Sequence, residues 1–147
     1  MGVQPKPEGY HNVNAYLVVP GAGELIEFLQ HTFDGEVKER MEAPDGSVSH
    51  AEVRIGDSIV MMGEPTERTE TQPAHLYVYV NDTDETYDRA LKAGAVSLME
   101  PKDQFYGDRN AGVKDAFGNV WWIATHVEDV PPEEMRRRAA AEAGSQE

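Results

Sequence analysis

Two rhythms of apolar and polar residues alternate along this chain, and their order repeats. Val13 to Val19, rich in β-branched and aromatic residues and stopped at Pro20-Gly21, reads as a strand closed by a turn. Leu25, Leu29 and Phe33 then recur every fourth residue with Ile26 beside them, so Gly23 to Phe33 is predicted to be a helix with one apolar stripe. Gly35 falls where a helix-ending glycine is expected. Three extended runs follow, Val37 to Glu42, Val48 to Ile55 and Ser58 to Met62. They are separated by Pro44-Asp45-Gly46, where proline presets φ and glycine accepts a positive one, and by Gly56-Asp57. Residues 63 to 73 are polar with two prolines and read as an exposed connector.

The same order then returns. His75 to Val80 is a strand, Asp82-Thr83-Asp84-Glu85 is a helix start with an acid at the cap, and Tyr87, Ala90, Leu91 and Gly94 carry the helix to its end. Val96 to Met99, Gly112 to Lys114 and Val120 to Thr125 are the extended runs of this second half. A loop containing Tyr106-Gly107-Asp108-Arg109 and a turn at Asp115 to Asn119, with Gly118 at positive φ, divide them. Asn14 precedes His75 by 61 positions and Gly56 precedes Gly118 by 62, so the chain reads as two copies of one strand–helix–three-strand unit. Pro131 onward is a third helix. Proline and acids suit its first turn, and Glu133 to Arg137 and Glu134 to Arg138 are favourable pairs one turn apart. Arg136, Arg137 and Arg138 belong to a solvated face on this reading rather than to an anion site.

Composition narrows the function. Thirteen Lys and Arg against 27 Asp and Glu give a formal charge of −14, which repels a phosphate backbone or an anionic membrane surface. No nucleic-acid or membrane partner is therefore expected. The absence of cysteine excludes disulfides, thiolate metal sites and a cysteine nucleophile. No apolar run approaches the roughly 20 residues that span a bilayer, and the first residues lack the apolar core of a signal peptide, so a cytoplasmic protein is the expectation.

The doubled order, Tyr106-Gly107-Asp108-Arg109 and Val113-Lys114-Asp115-Ala116-Phe117-Gly118-Asn119-Val120-Trp121 resemble the vicinal oxygen chelate superfamily of glyoxalases, bleomycin resistance proteins and dioxygenases. More narrowly they resemble its demethylubiquinone-methyltransferase-like branch. Gly46, His50-Ala51-Glu52, Ile55-Gly56-Asp57 and Ala124 to Val130 support the likeness, which covers roughly residues 12 to 138. It implies an α+β fold in which two βαβββ repeats form a curved, eight-stranded mixed sheet with an open concave cleft, here followed by a C-terminal helix. The divisions are an arm at 1–11, a first repeat at 12–63, a connector at 64–73, a second repeat at 74–130 and a helical tail at 131–147. The resemblance also implies a homodimer.

Active members of that superfamily hold a divalent metal with His or Glu from the first and last strand of each repeat. Carried over by position, those ligands fall on Asn14, Val60, His75 and Trp122, of which only His75 is a ligand. No metal and no other cofactor is expected on this count. A displaced divalent site using His50, Glu52 and His75 is the alternative.

Strand alternation supplies an independent view of the faces. His75, Tyr77 and Tyr79 oppose Leu76, Val78 and Val80; Asn14, Tyr16 and Val18 oppose Leu17 and Val19; Trp122 and Ala124 oppose Trp121 and Ile123. The expected cleft set is Asn14, Tyr16, Val60, Met62, His75, Tyr77, Tyr79 and Trp122, a ring-rich surface suited to a planar or amphipathic ligand and equally to plain packing. Glu52 is a candidate general base if buried beside His50, since His50, Glu52 and Arg54 share a strand face. Asp108 and Arg109 read as an ion pair pinning a loop, or as an arginine clamp for an anion.

Three functions remain open. The first is a protein that binds a small aromatic or amphipathic molecule without metal. The second is a metal-dependent lyase, isomerase or dioxygenase with displaced ligands. The third is an interaction protein whose aromatic face is buried in a dimer.

Overall fold

The computed structural model describes residues 3–145, the side chain of Ser145 excepted. Among these residues the chain forms eight strands and three helices, in two mixed four-stranded sheets. It divides into two compact units. One runs to Ala74 and takes in Ala116–Asn119; the other comprises His75–Asp115 and the chain from Val120 onward.

In the first unit β1 (Ala15–Val18), α1 (Ala22–Phe33), β2 (Glu36–Glu42), β3 (Val48–Ile55) and β4 (Ser58–Gly63) give a sheet of order β1-β4-β3-β2. The β1–β4 pair is parallel and the other pairs are antiparallel. Helix α1 buries Leu25, Ile26, Leu29 and Phe33, the stripe read from the spacing, and Phe28 beside them. Its N-terminus has no cap of its own, since Gly21 carries no side chain. The Glu64 carboxylate serves instead, accepting from the Gly21 and Ala22 amides at 3.0 and 2.8 Å.

The helix end differs from expectation. Asp34, not Gly35, takes the left-handed conformation (φ 55°). Gly35 is needed for closeness: a Cβ there would lie 2.7 Å from the Val53 side chain.

In the second unit β5 (His75–Tyr79), α2 (Thr83–Lys92), β6 (Val96–Asp103), β7 (Asp108–Lys114) and β8 (Val120–His126) repeat the pattern as β5-β8-β7-β6, again with one parallel pair, β5–β8. Asp82 caps α2 by accepting from the Glu85 amide at 3.1 Å, and Gly118 sits at φ 92° in its turn. Strand β7 begins four residues before the expected run, so Asp108 and Arg109 lie in a strand and not in a loop. Helix α3 (Pro132–Ser145) closes the order. Of the two expected pairs on it, Glu134–Arg138 is present at 3.8 Å, whereas Arg137 pairs with Glu134 in place of Glu133.

Pairing fixes which face each residue occupies. Leu17, Val60, Met62, Ala51 and Val53 share the helix-covered side of the first sheet, all of them under 7% exposed. Ala111, Val113, Trp121 and Ile123 share that side of the second and are fully buried. The functional candidates lie on the opposite sides.

Candidate functional site

On the open side of the second sheet, register brings together His75, Tyr77 and Tyr79 from β5, Asp108, Asn110 and Gly112 from β7, and Trp122 and His126 from β8. Asp108 is their hub, 4% exposed. Its Oδ2 accepts the hydroxyls of Tyr77 at 2.6 Å and Tyr79 at 3.0 Å, and its Oδ1 lies 2.8 Å from His126 Nδ1. The other His126 nitrogen reaches Asp129 at 2.7 Å. Asn110 donates to the hydroxyls of Tyr77 and Tyr106 and accepts from Gln104.

Burial pushes the Asp108 carboxyl up, but the hydrogen bonds from Tyr77, His126 and Tyr79 outweigh it and hold the group below the usual carboxylate range. His126, gripped by Asp108 and Asp129, is raised above the ordinary imidazole value. Burial, and then the hydrogen bond to Asp108, drives Tyr77 well above the usual phenol range; Tyr79 is raised chiefly by that bond. The network therefore keeps Asp108 anionic and Tyr77 and Tyr79 protonated at neutral pH, and His126 is its one group moved upward from the ordinary imidazole value.

What it does fix is geometry. The Tyr77 and Tyr79 hydroxyls are anchored while the residues stay 43% and 62% exposed, with ring centroids 5.3 Å apart. The Trp122 indole donates to His75 Nδ1 at 3.2 Å and stacks on that imidazole at 25°. It also lies over Gly112, where a Cβ would stand 2.5 Å from Cζ3. Gly112→Ala is expected to push the indole off the sheet. It should cost about 1 to 2 kcal/mol by overpacking and shift the tryptophan emission, both read in one urea titration.

On the open side of the first sheet lie Asn14, Tyr16, His50, Glu52 and Met61. Glu52 is 7% exposed; one carboxylate oxygen accepts from the Tyr10 hydroxyl of the N-terminal arm, and the other lies 2.8 Å from His50 Nε2. The Tyr16 hydroxyl is 3.3 Å from His50 Nδ1. Burial raises the Glu52 carboxyl, yet the bonds from Tyr10 and His50 bring it below the ordinary range, so it is a weak base despite its burial beside His50.

Several expected site residues are corrected. Val60 and Met62 face the helix side, because Val60 pairs with Ala15 and Met62 with Leu17; Met61 takes the open side with Tyr16. Asp108 and Arg109 do not pair with each other. Strand alternation sends them to opposite faces, and Arg109 pairs with Asp84 at 2.8 Å and Asp103 at 3.2 Å. Of the remaining set, His75, Tyr77, Tyr79 and Trp122 share one face in the second unit, and Asn14 and Tyr16 share one in the first with His50 and Glu52. Asp108 was a candidate in another role, as the partner of Arg109, whereas Asn110, His126, Tyr106 and Tyr10 were missed. The signal for the first two lay in β7, where Asp108, Asn110 and Gly112 alternate with Arg109, Ala111 and Val113.

A metal must be tested against these donors. At the four positions carried over from the resemblance, Asn14 spends its amide on the His11 backbone and Val60 is apolar and turned inward. Trp122 occupies the His75 Nδ1 lone pair. His50 and Glu52 are bonded to each other and to tyrosines. Among the described residues no three His, Asp or Glu side chains are grouped so as to hold a metal ion. This donor set does not fit a resident divalent ion.

The chain is similar to known proteins along most of its length. The family model described as the glyoxalase/bleomycin resistance protein/dioxygenase superfamily matches residues 11–123. An uncharacterized protein of Mycobacterium bovis is 32% identical over 136 residues, covering 84% of this chain and 89% of the relative. Uncharacterized proteins of Mycobacterium tuberculosis match at the same 32%, over 79% of their length. Among solved structures, TioX from Micromonospora sp. ML1 superposes with a TM-score of 0.66 at 23% identity, over 79% of this chain and 100% of that one. The fosfomycin resistance protein FosX from Mesorhizobium loti gives 0.58 at 17%, over 78% and 91%. Among the described residues no helix is long and apolar enough to cross a membrane.

Proposed function

The chain belongs to the glyoxalase/bleomycin resistance protein/dioxygenase superfamily, and from that premise we propose that it binds a small aromatic or amphipathic molecule, without a metal, on the ring face of the second unit. The observation that carries this reading is the pair Tyr77 and Tyr79, whose rings stay open to solvent while a buried carboxylate holds their hydroxyls. An exposed ring free to rotate loses entropy when it stacks; one already anchored does not. Trp122 and His75, joined by a hydrogen bond and stacked, extend the same surface. Rings with hydroxyl and imidazole edges suit a ligand with a flat apolar body and a polar rim. The protein acts as a homodimer on this reading, and its affiliation is with the demethylubiquinone-methyltransferase-like branch.

The test uses 2-naphthol, a neutral planar probe, titrated into chelator-treated protein and followed by tryptophan fluorescence and thermal shift. One saturable site per chain, insensitive to chelator, is expected. Each stacked ring contributes about 0.5–1.5 kcal/mol, so Trp122→Ala and Tyr79→Ala should each weaken binding up to roughly tenfold. Binding that appears only after manganese, iron, nickel or zinc is added, and that vanishes in His75→Ala, would sink the reading in favour of metal chemistry. Failure to bind, together with a dimer that Tyr79→Ala dissociates in sedimentation, would assign the rings to a subunit interface instead.

A further inference from the structure

The first unit carries a cavity of different chemistry from the ring face, which goes beyond the reading above. Residues 5 to 14 run beside the open side of the first sheet, with the Tyr10 hydroxyl bonded to Glu52. Between arm and sheet is a cavity of about 470 Å³, lined among others by Lys6, Tyr10, Asn12, Asn14, Glu52 and Met61. We propose that this cavity is a binding site for a small organic ammonium ion, held by the Glu52 carboxylate against the Tyr10 ring and Met61.

The argument starts from the charge. Removing a carboxylate from water is costly unless a cation or several donors replace the solvent. Glu52 is 7% exposed, and its two described contacts are a phenol and an imidazole. Lys6, the ammonium on the cavity wall, is exposed and is not among those contacts. A carboxylate has about four lone-pair sites; two are taken, so two remain for N–H donors. Glu52 is held below the usual carboxylate range, so it stays anionic at neutral pH.

The rest of the lining selects among cations. Asn12 and Asn14 bring amide groups, Tyr10 an aromatic ring and Met61 a polarizable thioether, all of which tolerate an alkyl- or arylammonium. A compact metal ion would find one carboxylate and no second anionic donor on that wall. The net charge of −14 draws cations of any kind toward the surface.

Benzylammonium and its neutral isostere benzyl alcohol separate charge from shape. In calorimetric titrations of the full chain, benzylammonium is expected to bind at one site per chain, at least tenfold more tightly than benzyl alcohol. Glu52→Gln should bring that ratio to about one. Should that variant fail to fold, nuclear magnetic resonance on the wild type decides: the amine should shift the Asn14 side-chain amide and the Met61 methyl and leave the Trp122 indole unmoved. Equal affinity for amine and alcohol, or a shift centred on the Trp122 indole, would overturn the proposal. Because 2-naphthol is reported by Trp122 and the amine by Asn14 and Met61, either site can fail while the other stands.

Discussion

Replacing Trp121 by alanine is expected to cost about 4 kcal/mol, whereas Trp122→Ala, one residue on, should cost about 1 to 2 kcal/mol and weaken ligand binding instead. The two indoles face opposite sides of β8. Trp121 is fully buried among Ala111, Val113 and Ile123, with its N–H donated to the buried Asp115 carboxylate at 2.9 Å. Truncation there removes a large apolar surface, leaves a cavity and strips a donor from a buried carboxylate. Trp122 lies half-buried over Gly112, so less surface returns to water. For a domain of this size the Trp121 cost corresponds to a fall in Tm of roughly 8 to 16 °C. Trp121→Phe, which keeps an aromatic ring but not the donor, should fall between the two. Urea denaturation of the three variants checks the order; a Trp122→Ala variant less stable than Trp121→Ala would overturn the register on which both the core and the ring face rest.

That register is where sequence and structure part. The two strand–helix–three-strand orders were legible because glycine and proline punctuate them, because α1 has a clean apolar stripe and because an acid caps α2. The faces of β5 and β8 were legible too, since aliphatic and aromatic residues alternate there. The slip came in β4. Counting from the turn glycines, 62 positions apart, equates Val60 with Trp122. Pairing gives 61: Leu17 corresponds to Val78, Val60 to Trp121 and Met62 to Ile123. The β3–β4 turn holds two residues between Ile55 and Ser58, while the β7–β8 turn holds five between Lys114 and Val120. A glycine in turns of different length is a poor ruler, and an error of one residue moves a strand's whole side-chain set to the other face. Val60 and Met62 were misplaced for that reason.

The polar hub was hidden for another. Asp108, Arg109 and Asn110 carry no apolar signal, so their stretch reads as loop, and the strand shows itself only when Asp108 meets partners 29 and 31 residues earlier and 18 later. Tyr10 is more remote still. It sits in a proline- and glycine-rich arm, and its contact with Glu52 spans 42 residues, which no local period encodes.

Asp108→Asn is expected to lower stability by about 2 to 3 kcal/mol and to change how stability depends on pH. The carboxylate receives two phenols on Oδ2 and an imidazole on Oδ1. An amide offers one acceptor oxygen and turns an NH2 toward His126 Nδ1, so with His126 protonated one bond is lost and a donor is left facing another. Because half of the His126 side chain is in water, its share is discounted, which keeps the total below that of a fully buried ion pair.

The signs of the two titrations differ. Asp108 has a depressed pKa, so its contribution is present above the ordinary value of 3.8 and is lost as pH falls through the folded value. His126 has a raised pKa, so its contribution is complete below 6.5 and is lost as pH rises through the folded value. The difference in stability between wild type and Asp108→Asn should therefore be largest between about pH 4 and 6.5 and shrink on either side. Urea midpoints from pH 3 to 9 measure it, and a difference independent of pH would show that Asp108 is not the charged partner of His126. The same substitution releases the Tyr77 and Tyr79 hydroxyls. If anchored rings are what make the face a binding surface, the affinity for 2-naphthol must fall with it, although Asp108 is itself buried and carries no ring.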